Sequence, residues 1–347
     1  MFNKLLGKFS KDLGIDLGTK NTLVYTPEKG IVINEPSVVA VNMRTDEILA
    51  VGEEARKMLG KTPAHIQAIK PLVDGVISDF EVTEKMIKYF IDKVHSESFT
   101  IAPRPRVVIG IPLDITEVEK KAVEDAAKSA GARRVFLVEE SMAAAIGARL
   151  PVIEARATMV VDIGGGTTEI AVISLGGVVT WKSLRLAGNA IDNNIIDYIR
   201  EEFNILIGEQ VAENVKIKIG SAAPLKDPAE IEVRGRDLIN GLPKAIMVND
   251  SQIREAISRT ISQIIENIKT TLETTPPELV ADIYEHGIIL SGGGALLRGI
   301  DKEIAQATKI PVRIADDPLT CVVRGTGILL ADNELLNKIL LPGSGEL

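Results

Sequence analysis

Two short stretches of this chain place an aspartate and glycines at matching positions. The first reads GIDLGTKNT over residues 14–22, and the second reads VVDIGGGTT over residues 160–168. In both, an apolar residue, Asp, a second apolar residue and Gly follow one another, so that Asp16 is matched by Asp162. Each copy ends a strand-like run and starts a turn. Two such copies indicate a duplicated lobe, with one loop from each half facing a shared cleft.

The residue types in both loops suit phosphate binding. Glycines let the backbone turn tightly and bring its N–H groups against phosphate oxygens. The aspartates would repel a phosphate, but they can hold Mg²⁺ through its retained waters, and the metal then bridges to the phosphates. For either copy alone, a tight hairpin with an aspartate cap is the alternative. Threonine hydroxyls add further donors, at Thr19, Thr22, Thr167 and Thr168.

The better-known nucleotide loops do not fit this sequence. A Walker A loop ends in Gly-Lys-Ser or Gly-Lys-Thr, whereas GALLRGID (294–301) continues past its second glycine with Ile and Asp. A dinucleotide fingerprint needs a third glycine three residues after the second. After Gly164 and Gly166 that position holds Glu169. A different nucleotide-binding fold is therefore expected.

A third glycine cluster, IILSGGGALLRGI (288–300), follows an apolar run and precedes a helix-like segment. Its glycines, Gly292, Gly293 and Gly294, would let an adenine or ribose approach the backbone closely. Alone, such a cluster is equally typical of a turn.

Strand signals and helix signals alternate along the chain. This alternation predicts an α/β fold, whose strands and helices position the loops. RVVIGIP (106–112) and RVFLVEE (134–140) read as strands. TEVE (116–119) is a capping box that opens a helix running to Gly131. SMAAAIGARL (141–150) reads as the next helix.

A longer helix is predicted to begin near Asn249 to Ser251 and to end at the pair Pro276-Pro277. Isoleucines recur along it at helical spacing, which predicts a buried face. They are Ile253, Ile257, Ile261, Ile264, Ile265 and Ile268.

The bulk composition narrows the class of protein. A chain of 347 residues is longer than one core usually serves. A net charge of −8 disfavours nucleic-acid binding, which needs clustered Lys and Arg. The single cysteine, Cys321, excludes an internal disulfide and suits a reducing compartment. No apolar run approaches the roughly 20 residues of a membrane span, and no secretory signal is present. The histidines have no metal-ligand spacing, at His65, His95 and His286.

Two segments interrupt the strand–helix rhythm, residues 33–79 and 184–245, and both are interpreted as smaller subdomains inserted into two larger α/β lobes. The predicted core of lobe I comprises residues 1–32, 80–150 and 316–347, and that of lobe II comprises residues 151–183 and 246–315.

Together these motifs resemble the actin-like ATPase superfamily, which includes actin, the seventy-kilodalton heat-shock chaperones and sugar kinases. Within it, the chain is similar to the MreB family of bacterial rod-shape-determining actins over essentially its whole length. The motifs that carry this resemblance stand in the family's order: NEPSVVA (34–40), DGVISDFEVTEKMI (74–87), VVDIGGGTTE (160–169), TPPELVADI (275–283), SGGGALLRG (291–299) and ADDPLTCV (315–322).

The resemblance implies a two-lobe, four-subdomain ATPase of the actin-like, ribonuclease-H-like duplicated fold, with ATP or ADP and Mg²⁺ in the central cleft. It further implies homopolymer filaments in the cytoplasm, bound peripherally to the inner face of the membrane. Such filaments would organise the cell-wall elongation machinery and its membrane proteins. No nucleic-acid partner is expected.

The resemblance also implies residue roles. Glu140 and Thr167 would position the attacking water, with Glu139 as the neighbouring alternative, and Asp16 and Asp162 would serve the metal. The nucleotide-binding residues would be Gly18, Thr19, Lys20 and Asn21 in the first loop, Gly164, Gly165, Gly166, Thr167 and Thr168 in the second, Glu213 and Lys216 beside adenine and ribose, and Gly292, Gly293, Gly294, Ala295 and Leu296 in the third cluster. For Glu213 and Lys216 a solvated helix face is the alternative.

Three positions depart from the family pattern. Lys20 stands where a small residue is usual, and its cation is expected to tighten nucleotide binding or slow product release. Ser141 replaces a proline after Glu140 and is expected to cap the helix there. Asn189 replaces an aspartate, although Asp192 remains.

The first residues, MFNKLLGKFSKDLG (1–14), place apolar side chains near helical spacing with lysines between them. This basic amphipathic pattern suits a membrane interface, and the alternative is a frayed tail. The predicted membrane contacts are Phe2, Leu5, Leu6 and Phe9, with Phe99 as a second site.

Two other classes of protein within this superfamily have the same cleft. A chaperone-type ATPase would need a substrate domain after residues 324–336, where this chain soon ends. A small-molecule kinase would need a base for the substrate hydroxyl, and the candidates are Asp16 and Glu140.

Overall fold

The computed structural model describes residues 10–96 and 103–340. Contacts divide the chain into two compact units, each built around its own five-stranded sheet. The first unit comprises Met1–Ala155, Ile173–Val178 and Leu319–Leu347, and the second comprises Arg156–Val172 and Val179–Pro318.

In the described part of the chain, the first unit begins with ten strands and four helices. The strands are β1 (Leu13–Leu17), β2 (Asn21–Thr26), β3 (Gly30–Pro36), β4 (Val39–Asn42), β5 (Glu47–Val51), β6 (Ile66–Ile69), β7 (Leu72–Val73), β8 (Val76–Ile77), β9 (Arg106–Ile111) and β10 (Arg134–Glu139). The helices are α1 (Glu53–Met58), α2 (Phe80–His95), α3 (Glu117–Ser129) and α4 (Glu140–Gly147). The main sheet has the order β10-β9-β1-β2-β3, and β5-β4-β6 form a smaller one.

The second unit continues this numbering. Its strands are β11 (Thr158–Ile163), β12 (Thr168–Ser174), β13 (Gly177–Leu184), β14 (Ile205–Leu206), β15 (Glu230–Asp237), β16 (Pro243–Asn249), β17 (Ile288–Ser291) and β18 (Val312–Ile314). Its helices are α5 (Gly188–Phe203), α6 (Glu209–Ile219), α7 (Asp250–Thr274), α8 (Pro277–His286) and α9 (Ile300–Thr308). The main sheet has the order β13-β12-β11-β17-β18, and β14-β15-β16 form a smaller one.

The two main sheets have the same strand plan. In the first, β1, β9 and β10 pair in parallel, and β2 and β3 extend the sheet on the other side of β1. In the second, β11, β17 and β18 pair in parallel, and β12 and β13 extend it on the other side of β11. The duplication predicted from the aspartate–glycine motifs is therefore confirmed in the fold.

Helix boundaries follow the local signals. Thr116 caps α3 in a capping box with Glu119, and Gly131 follows its end with a φ of +114°. Asn249 caps α7 in the same way, and the chain leaves that helix at Thr275, just before the prolines. The isoleucine stripe of α7 is buried and belongs to the core of the second unit.

Two further helices, α10 (Cys321–Ala331) and α11 (Asn333–Ile339), belong to the first unit. The backbones of α10 and α4 approach very closely, because a Cβ atom at Gly147 would lie 1.8 Å from the carbonyl oxygen of Cys321. A Cβ atom at Gly325 would lie 1.9 Å from the carbonyl oxygen of Ala143. Glycine is required at both positions, and this contact fixes α4, whose first residue is Glu140.

One predicted cap is wrong. Helix α4 begins at Glu140 with Glu139 as its N-cap residue, so Ser141 lies inside the first turn. There its hydroxyl is buried and has no hydrogen-bond partner among the described residues. The strand predicted over 134–140 ends one residue earlier, at Glu139.

Candidate functional site

The first loop is the turn between β1 and β2, and Ser37 holds it from behind. The Ser37 hydroxyl donates to the carbonyl of Gly18 at 2.5 Å, and its N–H donates to the carbonyl of Lys20 at 2.9 Å. The Thr19 hydroxyl oxygen accepts a hydrogen bond from the N–H of Gly75 at 2.9 Å. With its carbonyls engaged in this way, the turn has a fixed conformation. Ser37 was missed from the sequence, because a lone serine in a strand-like segment has no signal that marks it as a support.

The second loop, between β11 and β12, has a similar support. Its turn is closed by a hydrogen bond from the N–H of Gly164 to the carbonyl of Thr167 at 2.9 Å. The N–H groups of Gly188 and Asn189 donate to the carbonyls of Gly164 and Gly165 at 3.1 and 2.7 Å. The carbonyls of Gly164 and Gly165 therefore face the start of α5, which holds the glycine loop in one conformation.

The matched threonines serve these supports. Thr22 and Thr168 are both fully buried. The Thr22 hydroxyl is 2.9 Å from the hydroxyl of Ser37, and the Thr168 hydroxyl donates to the carbonyl of Leu186 at 2.6 Å. Both hydroxyls therefore bind protein partners, and their predicted donation to a phosphate stays a prediction. Their common role is to fasten each loop to the segment behind it.

Asp162 ends β11 as a buried carboxylate, 7% exposed. It pairs in register with Ser291 of β17, whose hydroxyl donates to its Oδ1 at 2.6 Å. Burial raises the pKa of Asp162, and the hydrogen bond from Ser291 opposes that rise in part. A carboxylate in this state gains from a nearby cation. Ser291 was missed from the sequence, where its only signal is a polar residue ending an apolar strand before three glycines.

Asp16 occupies the same position in the first sheet, near the end of β1, where it pairs in register with Gly110 of β9. A Cβ atom at Gly110 would lie 3.2 Å from Cγ of Glu140. This glycine therefore lets the Glu140 side chain, 8% exposed, lie against the strand pair that carries Asp16. Burial raises the pKa of the neighbouring Glu139. The first unit thus brings Asp16 and Glu140 to one edge of its sheet.

The third glycine cluster lies beside the second loop. A Cβ atom at Gly292, where φ is +78°, would lie 2.4 Å from the carbonyl oxygen of Ile163. One at Gly294 would lie 2.2 Å from the Ile163 side chain. Both glycines are thus required by packing against β11. In the short turn of helix that follows, Ala295 is buried, while Gly293 and Leu296 are exposed.

Glu213 and Lys216 lie three residues apart on α6, so both side chains lie on the same side of this helix. The Nζ atom of Lys216 is 2.8 Å from Oδ1 of Asp192 and donates to the carbonyl of Gly188 at 3.1 Å. Lys216 is therefore joined to the segment that supports the second loop. Asn189 contributes its backbone N–H to the same support.

The described residues contain no group of three or more His, Cys, Asp or Glu side chains placed to hold a metal. Mg²⁺ does not require such a group, because it keeps several waters and is bound through one or two carboxylates together with substrate phosphates. Asp162, buried with one hydroxyl donor, is suited to such a role.

The predicted membrane contacts Phe2, Leu5, Leu6, Phe9 and Phe99 lie outside the described residues. Within residues 10–96 and 103–340, no helix is both long enough and apolar enough to cross a bilayer.

The sequence model of the MreB/Mbl protein family matches residues 10–338, nearly the whole chain. The chain belongs to the MreB/Mbl family. The resemblance inferred from the motifs is therefore confirmed, and with it the actin-like fold.

Relatives within the MreB/Mbl family are close in sequence. The cell shape-determining protein MreB of Escherichia coli (strain K12) is 53% identical over 331 residues, which cover 94% of this chain and 95% of that protein. The cell shape-determining protein Mbl of Bacillus subtilis (strain 168) is 49% identical over 330 residues, covering 95% and 98%.

Solved structures agree with the fold. MreB5 of Spiroplasma citri bound to ADP superposes with a TM-score of 0.89 at 38% identity, covering 95% of this chain and 98% of that one. A MamK double helical filament has a TM-score of 0.77 at 25% identity, covering 92% and 98%.

Proposed function

We propose that this chain is an ATP-dependent cytoskeletal protein that determines cell shape. It binds and hydrolyses ATP with Mg²⁺, and forms filaments on the inner face of the cytoplasmic membrane that organise cell-wall elongation. The observation that carries this proposal is the duplicated sheet, in which β1 and β11 each lead from an aspartate into a glycine-containing loop. The names of the MreB and Mbl relatives support the cell-shape role.

Both loops are proposed to bind one nucleotide. Their carbonyls are held from behind, by Ser37 in the first loop and by Gly188 and Asn189 in the second. This arrangement supports a role for their N–H groups on phosphate oxygens, because a phosphate binds where several backbone donors converge. Structures of the related MreB5 with ADP and with AMPPNP support the choice of an adenine nucleotide.

Hydrolysis is assigned to Glu140 and Thr167, which would orient a water in line with the γ-phosphate. Glu140 suits this task because it is buried at the start of α4, a helix fixed by its close contact with α10. Asp16 and Asp162 would hold Mg²⁺ through water. Bound there, the metal would offset the charge that develops on the phosphate oxygens.

Self-association is supported by the related MamK filament. Polymerisation and membrane binding would reinforce each other, because many weak insertions add up along one filament. The membrane-binding residues are proposed to be Phe2, Leu5, Leu6 and Phe9, with Phe99 as a second contact.

Sedimentation and electron microscopy with ATP, with ADP and without nucleotide test the assembly. We expect pelleted filaments with ATP and release of phosphate over time. Protein that stays monomeric with ATP, and transfers the phosphate to a sugar instead, would contradict the proposal and support a kinase.

Membrane association needs its own assay. Deletion of residues 1–9 is expected to abolish co-flotation of filaments with anionic liposomes while pelleting with ATP persists. Neutral liposomes are the control for charge. Unchanged co-flotation of the deletion variant would remove the anchor assignment and leave the ATPase assignment standing.

A further inference from the structure

The first turn of α5 lies between the second phosphate loop and helix α6. On one side, the N–H groups of Gly188 and Asn189 donate to the carbonyls of Gly164 and Gly165 at 3.1 and 2.7 Å. On the other side, the carbonyl of Gly188 accepts a hydrogen bond from Nζ of Lys216 at 3.1 Å. A single residue of α5 thus contacts both the loop and α6.

Asp192 fixes the direction of the Lys216 side chain. Its Oδ1 atom is 2.8 Å from the Lys216 amino group, and the two side chains are 3% and 15% exposed. Because Asp192 follows Gly188 by one helical turn, Lys216 binds two points on the same face of α5. The first turn of α5 contains no acidic residue, so Asp192, one turn further along, is the first carboxylate of the helix and the one that pairs with Lys216.

Gly188 packs closely against both the second loop and Lys216. A Cβ atom at Gly188 would lie 3.3 Å from the carbonyl oxygen of Gly164 and 3.4 Å from Nζ of Lys216. Little space therefore separates the loop, the first turn of α5 and the lysine. A shift of Lys216 would displace the first turn of α5, which supports the glycine loop. The loop would then move as well, because closely packed groups move together.

We propose that Asp192 and Lys216 are positioning residues that set the conformation of the second phosphate loop. By holding the start of α5, the ion pair keeps the carbonyls of Gly164 and Gly165 turned towards that helix. The N–H groups of the loop then remain arranged for a phosphate. This inference rests on the proposed binding of ATP, and it gives Lys216 a role distinct from contact with adenine or ribose.

A double-mutant cycle on the full chain tests the proposal, with the variants Asp192→Asn, Lys216→Met and their combination. Lys218→Met, an exposed lysine on the same helix, is the matched control. The affinity for a fluorescent ATP analogue with Mg²⁺ is measured. Hydrogen exchange of residues 160–170 is followed in parallel without nucleotide.

Each single substitution is expected to weaken nucleotide binding roughly 10–100-fold. Loss of a residue that orients the ligands of a bound metal has an effect of this size. The double variant should bind the nucleotide no more weakly than the single variant with the lower affinity, because both substitutions break the same ion pair. Exchange should speed up in residues 160–170 and stay unchanged in peptides of the first unit. Lys218→Met should behave as wild type.

A direct contact between Lys216 and the nucleotide gives a different result. Lys216→Met alone would then weaken binding, while Asp192→Asn would leave the affinity unchanged or raise it by releasing the lysine. That outcome, or unaltered exchange of the loop, would overturn the proposal. If the wild-type chain bound no ATP, the proposed function would fail, and loop exchange would still decide the positioning role.

Substitution of Gly188 provides a second test should the ion-pair variants fold poorly. Gly188→Ala keeps both charges but places a methyl group between the loop and Lys216. It is expected to weaken the same nucleotide and to speed up exchange of the same loop. Wild-type affinity and exchange in this variant would overturn the proposal.

Discussion

The two main sheets differ at the position that faces each aspartate. In the first sheet Asp16 is paired with Gly110, and in the second Asp162 is paired with Ser291. The glycine leaves room for the Glu140 side chain, whereas the serine donates a hydrogen bond to its aspartate. One strand plan thus supports two kinds of site. We infer that the first unit contributes the Glu140 carboxylate to the proposed hydrolysis, and that the second contributes the buried Asp162 to the proposed binding of metal and nucleotide.

The largest effect is expected from Glu140, on the hydrolytic side of this comparison. Glu140→Gln should lower the rate of phosphate release at saturating ATP by about 10²–10⁴-fold, the usual contribution of a positioned acid or base. Glu139→Gln, its neighbour in sequence, should change the rate far less. If Glu139→Gln abolished turnover and Glu140→Gln did not, the assignment would pass to Glu139.

On the binding side, Asp162 should affect stability as well as affinity. Because burial raises its pKa, the folded protein binds this proton more tightly than the unfolded chain does. Without nucleotide, stability should therefore fall as the pH rises from about 4, until the raised pKa is passed. Asp162→Asn removes the free-energy cost of burying an ionised carboxylate. At neutral pH the Tm of this variant should therefore rise by roughly 2–4 °C.

Calorimetry from pH 4 to pH 8 measures that slope, with Asp16→Asn as the control at the equivalent position. Asp16 is only half-buried, so its variant should show no comparable gain. A fall in the Tm of Asp162→Asn at neutral pH would contradict the account of the buried carboxylate.

Substitution of Gly110, the residue that faces Asp16, should have a smaller effect on turnover than substitution of Glu140. A methyl group there would lie 3.1 Å from Cγ1 of Val322 and 3.2 Å from Cγ of Glu140, so a neighbour must move by a few tenths of an ångström. Gly110→Ala should lower turnover about tenfold through misplacement of Glu140. Gly208→Ala, where a methyl group meets nothing within 4 Å, is the control. Equal rates for both glycine variants would separate Gly110 from catalysis.

The smallest effect concerns a second serine, Ser141, whose buried hydroxyl has no partner among the described residues. Whereas Ser291 stabilises a carboxylate, Ser141 loses its hydration without gaining a hydrogen bond. Ser141→Ala should therefore be neutral or stabilise the fold by up to about 1 kcal/mol in chemical denaturation. A clear loss of stability would indicate that the hydroxyl has a partner, such as bound water.

Much of the fold was predictable, because the sequence signals for its helices and for its duplication are local. The capping box at Thr116, the helix start near Asn249 to Ser251 and the isoleucine stripe of α7 are short-range patterns, and the repeat of Asp16 at Asp162 indicated the duplication. The motifs together led to the MreB/Mbl family.

The supports of the loops were not predictable from such patterns. Gly110, Ser291 and Ser37 act through contacts with residues distant in sequence, and strand register decides which side chains meet. The burial of Thr22 and Thr168 could not be predicted for the same reason, because it depends on tertiary packing. Ser141 was taken as a cap because the helix start was placed one residue too late.

The division of labour between the two units can be tested in one paired titration. The affinity for a fluorescent ATP analogue with Mg²⁺ is measured for Glu140→Gln and Asp162→Asn against wild type. Glu140→Gln is expected to bind within about twofold of wild type, because it removes an interaction made in the transition state, whereas Asp162→Asn is expected to bind at least about tenfold more weakly. Equal losses in both variants, or a greater loss in Glu140→Gln, would contradict this division of labour.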